Sequence, residues 1–320
     1  MESCAFADAN FPRQAPRVAR RRPHPTRPAR LVRAAAFAGL VLLPAWLPAQ
    51  TAPAPLILRL PGSVRSAGLA GASVAVVGFA GSIFVNPTGI ATIGSLSAEG
   101  AYERHPDRST FGAAALAVRL GQFDFGAGYG RLRLRDTAAV PSNDLWVASA
   151  VYRFGLTAFG ASLKYLTVED SAGVVSQAVT GDVGLTVAVF DIMALAVSVR
   201  NLGRDAVSGP LLTLPTTTHL GFTLNFVDPQ STVRLLGTLE GIWTEGERGR
   251  TVWGLETGVV VGGLGLVGRL GNGAQPRGTG FSRWAYGAGV ELGRLHLDWA
   301  YQDQSVFGAG LHRFGARWTP

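Results

Sequence analysis

Three consecutive segments near the C-terminus alternate between two kinds of side chain. Trp284, Tyr286, Ala288, Val290 and Leu292 interleave with Arg283, Ala285, Gly287, Gly289 and Glu291. Beyond a turn at Gly293-Arg294, Leu295, Leu297, Trp299 and Tyr301 interleave with His296, Asp298, Ala300 and Gln302. Further on, Phe314, Ala316 and Trp318 interleave with Arg313, Gly315 and Arg317. A β-strand sends successive side chains to opposite faces, so each segment has an apolar face and a face of glycine and charge. In a soluble sandwich the apolar face is core and the polar face is wet. Here the apolar faces finish on Trp and Tyr while the other faces carry small residues and charge. That is the pattern of a transmembrane β-barrel, with lipid outside, a polar lumen and aromatic girdles at the interfaces.

The same phase extends upstream. Phe159, Ala161, Leu163 and Tyr165 oppose Gly160, Ser162 and Lys164, and Trp253, Leu255, Val259 and Val261 oppose Gly254, Glu256 and Gly258. Likewise Val233, Leu235, Leu239 and Trp243 oppose Arg234, Thr238 and Glu240. From Gly94 onward, fourteen strand-like segments are separated by turn signals. They lie near 94–104, 109–120, 122–134, 143–154, 156–168, 176–189, 192–201, 216–227, 231–243, 251–261, 263–271, 283–292, 294–302 and 310–318. Most have the length that a tilted strand needs to cross the hydrocarbon layer. Short connections at Gly121-Gln122, Gly155 and Gly293 suit periplasmic turns, and the longer 136–142, 203–215 and 272–282 suit outer loops. An even strand count puts both termini in the periplasm.

A cationic side chain on the lipid face at mid-membrane costs roughly 2–4 kcal/mol, so the phase of each strand decides where its charges go. Lys164, Asp182, Arg234, Glu240, Glu256, Arg269, Glu291, Asp298, Arg313 and Arg317 are assigned to the lumen, where their mixed signs predict paired networks. Segment 122–134 departs from this rule. Phe123, Phe125, Ala127 and Tyr129 share a face that continues into Arg131, Arg133 and Arg135, while Leu132 and Leu134 take the other. Either a bulge at Gly130 flips the phase, or the strand rises beyond the membrane and its arginines meet anionic lipid headgroups.

Composition fits a barrel whose inner faces must be small, with 42 glycines and 16% charged residues in 320. The net charge of +8 is misplaced for nucleic-acid binding. Residues 1–49 carry eight arginines against Glu2 and Asp8, which leaves about +2 for the rest. That leader has the form of a cleaved secretory signal. Arg27, Arg30 and Arg33 precede an apolar stretch at 34–43 broken by Pro44, and Leu47-Pro48-Ala49 before Gln50 is a cleavage site. The only cysteine, Cys4, lies in the leader, so the exported chain needs no disulfide and has no lipid-anchoring cysteine.

Residues 50–93 precede the barrel. Positions 50–61 form a Pro- and Ala-rich linker, and 66–98 carry no charge. Gly68, Gly71, Gly78, Gly81, Asn86, Pro87 and Gly89 make that run unfit for a lipid-exposed helix, whereas irregular backbone is tolerated inside protein. The expectation is a plug within the barrel. Asn86-Pro87 reads as a turn, with Asn86 held extended by the proline and Gly89 permitting a reversal.

No enzymatic constellation emerges. Gly263-Leu264-Gly265-Leu266-Val267-Gly268 spells a dinucleotide fingerprint, yet glycines and Pro276 follow where a helix must open. His105, His219, His296 and His312 are scattered, and Gly71-Ala72-Ser73-Val74-Ala75 lacks the second glycine of a nucleophile elbow. No Cys/His cluster has metal-ligand spacing, and no metal or other cofactor is expected.

Residues 65–75, Arg-Ser-Ala-Gly-Leu-Ala-Gly-Ala-Ser-Val-Ala, followed by Asn86-Pro87-Thr88-Gly89-Ile90-Ala91, resemble the N-terminal signature of the PorV/PorQ-like outer-membrane proteins. These belong to the long-chain fatty-acid transporter (FadL-like) superfamily. Arg200-Asn201-Leu202-Gly203, Gly254-Leu255-Glu256 and Leu297-Asp298-Trp299-Ala300-Tyr301 with His312-Arg313 add to the likeness. It departs at Thr88, at Gly78-Phe79 and in the Thr319-Pro320 that follow Trp318. The resemblance implies a fourteen-stranded barrel at 94–318 with an N-terminal hatch whose motif is Arg65, Gly68, Gly71, Asn86, Pro87 and Gly89. It also implies passive passage of a hydrophobic ligand, or else a PorV-like scaffold whose loops near 204–215 and 271–283 contact a secreted protein. Outer-membrane lipid, lipopolysaccharide and the barrel-assembly machinery are the remaining expected partners.

Overall fold

The computed structural model describes residues 54–320 except 136–140, 191, 204–206, 209–211, 213, 228–231, 277–278 and 305–309. The leader, its cleavage site and Cys4 lie outside the described residues, as do parts of the three long connections.

The first seven strands are β1 (Leu96–Arg104), β2 (Thr110–Leu120), β3 (Phe123–Arg133), β4 (Ser142–Phe154), β5 (Thr157–Glu169), β6 (Val175–Val189) and β7 (Met193–Leu202). A two-residue β8 (Val207–Ser208) follows. Then come β9 (Thr217–Val227), β10 (Val233–Thr244), β11 (Arg250–Val261), β12 (Leu264–Gly273), β13 (Phe281–Leu292), β14 (Leu295–Gln304) and β15 (Leu311–Trp318). Apart from β8, each long strand is hydrogen-bonded to two antiparallel neighbours, and the pairing of β1 with β15 closes the ring. The fold is a closed antiparallel barrel of fourteen long strands. Closure satisfies every ladder, the condition for a sheet to exist in hydrocarbon. The sequence segments match these strands to within a few residues. β8 lies in a stretch expected to be loop, and it pairs with Gln177 and Ala178 of β6.

Strand phase divides the wall as alternation requires. Leu163 and Phe159 are outward and more than half exposed, whereas Lys164, Ser162 and Ala158 are buried on the inner face. Aromatic pairs collar the outside: Tyr129 lies 4.4 Å from Trp146, and Trp253 lies 6.0 Å from Trp284, between ring centroids. In β3 the register with both neighbours is unbroken through Gly130, so there is no bulge there. Leu132 points inward and is buried, while Arg133 is exposed on the face begun by Phe123. Irregularities fall elsewhere, at Gly181/Val183, Leu235/Leu236 and Phe281/Ala285. The glycine-rich fingerprint at 263–268 is the turn into β12 and that strand's first residues.

The core lies inside the ring. Residues 54–93 carry only a short helix α1 (Val64–Gly68) and 3-10 turns at Leu56–Leu58, Ala80–Phe84 and Pro87–Ile90. Leu69, Val74, Phe79, Ile83 and Ile90 of this segment are fully buried. No described helix is long and apolar enough to cross a membrane. The Pro-rich stretch read as a linker is packed from its 3-10 turn onward, with Ile57 and Leu60 buried.

The start of β1 and the end of β15 share the rim of the short turns. The chain before β1, however, rises through the lumen. Arg59 pairs with Glu247 in the connection between β10 and β11, so the N-terminal end of the described chain lies towards the long-loop rim. Placing both termini at the turn rim therefore holds for the barrel wall but not for the segment ahead of it.

Leu163→Arg puts a cation on the outward face, and the wall should lose about 2–4 kcal/mol of stability. Equilibrium unfolding in phospholipid vesicles measures this, and an unchanged midpoint would contradict a lipid-facing wall.

Candidate functional site in the lumen

The N-terminal segment is held by the inner wall from one rim to the other. At the loop side, Gln275 donates from Nε2 to the Ala70 carbonyl at 3.3 Å. At mid-height, the amides of Ser73 and Val74 donate to Oε2 of Glu240 at 2.8 and 2.9 Å. Near the turn rim, Arg119 donates to the Ala91 carbonyl at 2.6 Å. Close approach of two backbones requires glycine at Gly271, where a Cβ would lie 2.2 Å from the Leu69 carbonyl carbon.

The residues of the N-terminal motif are fixed by contacts or by backbone conformation. Arg65 donates to both oxygens of Glu256 at 2.9 and 2.6 Å, and its guanidinium stands 5.3 Å above the Phe79 ring. Gly68 meets Gly287, and Gly71 adopts φ +86°, open only to residues tolerant of left-handed backbone. Asn86 is extended before Pro87, donates to the Val74 carbonyl at 2.8 Å and accepts from the Thr88 amide at 3.1 Å. Gly89 does not make the expected reversal. Its constraint is packing, because a Cβ would lie 2.4 Å from that of Ser82.

The inner wall is two-faced. Towards β10–β15 it is ionic. Arg269 bridges Glu256 and Asp298, each at 2.6 Å, which extends the Arg65 pair into a four-residue chain. Arg234 and His296 flank Glu291, the imidazole at 3.3 Å. Arg313 pairs with Glu103, which also meets His105 at 2.8 Å. Arg317, four residues further along β15, is buried and lies across from Glu99. On β5 and β6, Lys164 lies 2.7 Å from Asp182 and donates to Asn201 at 2.6 Å. His296 and Asp298, two apart on one strand face, thus serve different partners.

Sequence reasoning missed Glu99, Glu103, Asp124 and His219. His219 Nδ1 lies 2.6 Å from Glu240, and Asp124 takes Arg119 and Arg153 at 2.9 and 2.8 Å. Glu99 accepts from the Gly81 amide at 3.0 Å. The available signal was parity, since Glu99 and Glu103 share the phase of Ser97 and Ala101.

Towards β2–β5, apart from Lys164 and the Asp124 cluster, the lumen is apolar. Ile57, Leu60, Ile83, Phe84, Ile90 and Ile93 of the segment pack in one cluster with Phe111, Leu132, Leu145, Val151 and Leu166 of the wall. Two cavities flank the segment. A smaller one of about 110 Å³ near the loop rim is lined by Arg59, Arg200, Arg250, His219, Leu60 and Phe281. Burial draws the Arg59 guanidinium below the usual arginine value, opposed by the adjacent Glu247 carboxylate. A larger one of about 490 Å³ towards the turn rim is lined by Val76, Val77, Met193, Val227, Leu235 and Leu236, with Arg234 and Glu256. Among the described residues, no group of three or more His, Cys, Asp or Glu could hold a metal ion.

The architecture is thus a fourteen-stranded barrel with its lumen occupied by the chain's own N-terminal segment. No family model matches the chain, and no curated protein matches it. Solved structures do share the fold. A mutant of the TodX monoaromatic hydrocarbon channel superimposes with TM-score 0.55 at 11% identity, over 81% of this chain and 98% of that one. The Ralstonia pickettii toluene transporter TbuX gives 0.50 at 12% identity, over 80% and 96%. A Pseudomonas aeruginosa FadL homologue gives 0.50 at 12%, over 80% and 98%. The chain has the same barrel fold as these proteins.

Glu240→Ala leaves two buried amides and the His219 imidazole without their acceptor. At about 1–3 kcal/mol per orphaned group, the segment should be destabilised by at least about 3 kcal/mol. Hydrogen exchange across residues 66–76 should accelerate accordingly, and unchanged protection would remove Glu240 as the anchor.

Proposed function

We propose that this protein is an outer-membrane channel for small hydrophobic molecules, which pass when the N-terminal segment shifts within the lumen. The observation that carries this reading is the division of the lumen. The segment's directional bonds run to β10, β11 and β15 and also to β1, β6 and β7, whereas its contacts with β2–β5 are largely apolar, the Arg119 bond to Ala91 apart. Sliding along the apolar side strands few polar groups, while the anchored side keeps the segment attached. An apolar solute would follow that wall past Leu132, Leu145 and Val151. The fold shared with a toluene transporter and a hydrocarbon channel supports this class of solute.

Export by a leader cleaved after Ala49, insertion by the barrel-assembly machinery through the C-terminal strand ending at Trp318, and FadL-like ancestry belong to the same proposal. A PorV-like scaffold for a secreted protein is the second reading. The ionic half of the lumen favours it, because a permanently paired interior suits a static barrel.

A crosslink tests the first reading. A Cβ on Gly126 would lie 3.0 Å from Cγ2 of Ile83, so Ile83→Cys with Gly126→Cys should form a disulfide fixing the segment to β3 on the apolar side. The native chain has a single cysteine, in the leader, so no other pair competes. Toluene uptake into proteoliposomes should fall at least tenfold in the oxidised double variant and recover on reduction. Equal uptake in both states would exclude a moving segment, and absence of uptake in the unmodified protein would favour the scaffold.

A further inference from the structure

The outward face of β1–β5 combines a groove and a charge cluster that the lumen does not use. Ala98, Gly100, Ala114, Ala127, Ala148 and Ala316 form the floor of an apolar depression of about 760 Å³. Its rim is built by Leu116, Leu163, Tyr129, Trp146, Tyr165 and Trp318. These residues share one face by register: Ala98 pairs with Trp318 and Leu116, Leu116 with Ala127, Ala127 with Ala148, and Ala148 with Leu163. Spanning β15 to β5, the depression is roughly 25 Å across at the usual strand spacing, wider than the two chains of a glycerophospholipid.

Arginines stand on the same strands nearer the long-loop rim. Arg131 and Arg133 lie two and four residues beyond Tyr129 on β3, so Arg133 is about 13 Å past the aromatic collar. Arg104 follows Tyr102 on β1, and Arg104 and Arg133 both pair across to Thr110 of β2. Arg108 and Arg135 flank them in the adjoining connections and are exposed. Two carboxylates lie near. Asp144 is 3.5 Å from Arg131 and takes the Tyr129 hydroxyl, and Asp107 is held by Ser109. The balance stays cationic. Elsewhere in the wall, Arg200, Arg234, Arg250, Arg269, Arg313 and Arg317 line the lumen or are paired or buried there, and the exposed Arg248 and Arg283 lie on other strands and connections, apart from this group. The outward cluster is therefore specific to one side of the barrel.

We propose that this face is a binding site for one phosphorylated, multi-acyl glycolipid of the outer leaflet, lipopolysaccharide in its chemistry. Several acyl chains lie in the small-residue depression, and Arg104, Arg131 and Arg133 engage the phosphates above the aromatic collar. An apolar floor alone would accept any lipid. The arginines placed beyond the aromatics select an anionic headgroup, and the width selects more than two chains. The site rests on the outer-membrane reading but not on transport.

Native mass spectrometry of protein extracted in mild detergent from its own outer membrane tests the proposal. The unmodified barrel should carry one such glycolipid. Arg104→Ser/Arg131→Ser/Arg133→Ser and, separately, the groove-filling Ala114→Phe/Ala127→Phe should each retain at least tenfold less, with toluene uptake unchanged. Barrel protein refolded without lipid should also bind purified lipopolysaccharide at least tenfold better than phosphatidylglycerol vesicles, a measurement that needs no variant. Undiminished glycolipid on the triple variant, equal binding of phosphatidylglycerol, or a second copy of the chain occupying the face would each overturn it. Uptake lost with the glycolipid retained would instead strike the channel reading alone.

Discussion

A sheet in hydrocarbon cannot leave an edge, because an unpaired amide there has no water to turn to. The antiparallel pairing of β1 with β15 meets that demand, and most of the remaining structure follows from it. Closure at fourteen strands encloses more space than side chains can fill, since about eight strands already reach that limit. The surplus is taken up by the chain's own residues 54–93. Glycine at positions such as Gly271 and Gly287 is the wall's concession to backbone lying directly against it.

The segment inside has little regular structure, so its peptide groups need partners from elsewhere. Wall carboxylates supply several of them. Glu240 receives two consecutive amides and Glu99 a third. Burying these acids is tolerable only because they are hydrogen-bonded or face cations, and removing one member of such a set leaves the others stranded. The ionic side of the lumen is thereby committed to holding the segment. The apolar side holds it chiefly by packing, with the Arg119 bond to Ala91 near the turn rim.

Period-two patterning made the wall legible, because lipid and lumen impose opposite demands on adjacent residues. Strand number, position and the inward phase of residues such as Lys164 and Glu256 could be read locally. Pairings could not: Arg65 meets Glu256 from 191 residues away, and nothing near either residue encodes the other. Ile57 and Leu60 looked like part of a Pro-rich linker because their burial is wholly tertiary. Gly89 was assigned a turn when its constraint is the neighbouring Ser82, a contact between two 3-10 turns that the sequence does not display. The phase of β3 was left between two alternatives, and only an unbroken ladder through Gly130 decides between them.

The lumenal segment precedes almost everything that holds it. The groups that bind Ser73, Arg65 and Pro61 arrive 167, 191 and 252 residues later in the chain. Local contacts therefore give little early reward, and loop-closure entropy must be met before the long-range ones form. A partly built wall has an open edge together with an interior whose amides lack their acceptors. Such intermediates are poorly stabilised and exposed to mispairing, so the ring and its contents must be completed nearly together. The segment that precedes every strand is among the last to become secure, which makes the final strand a kinetic lock on it.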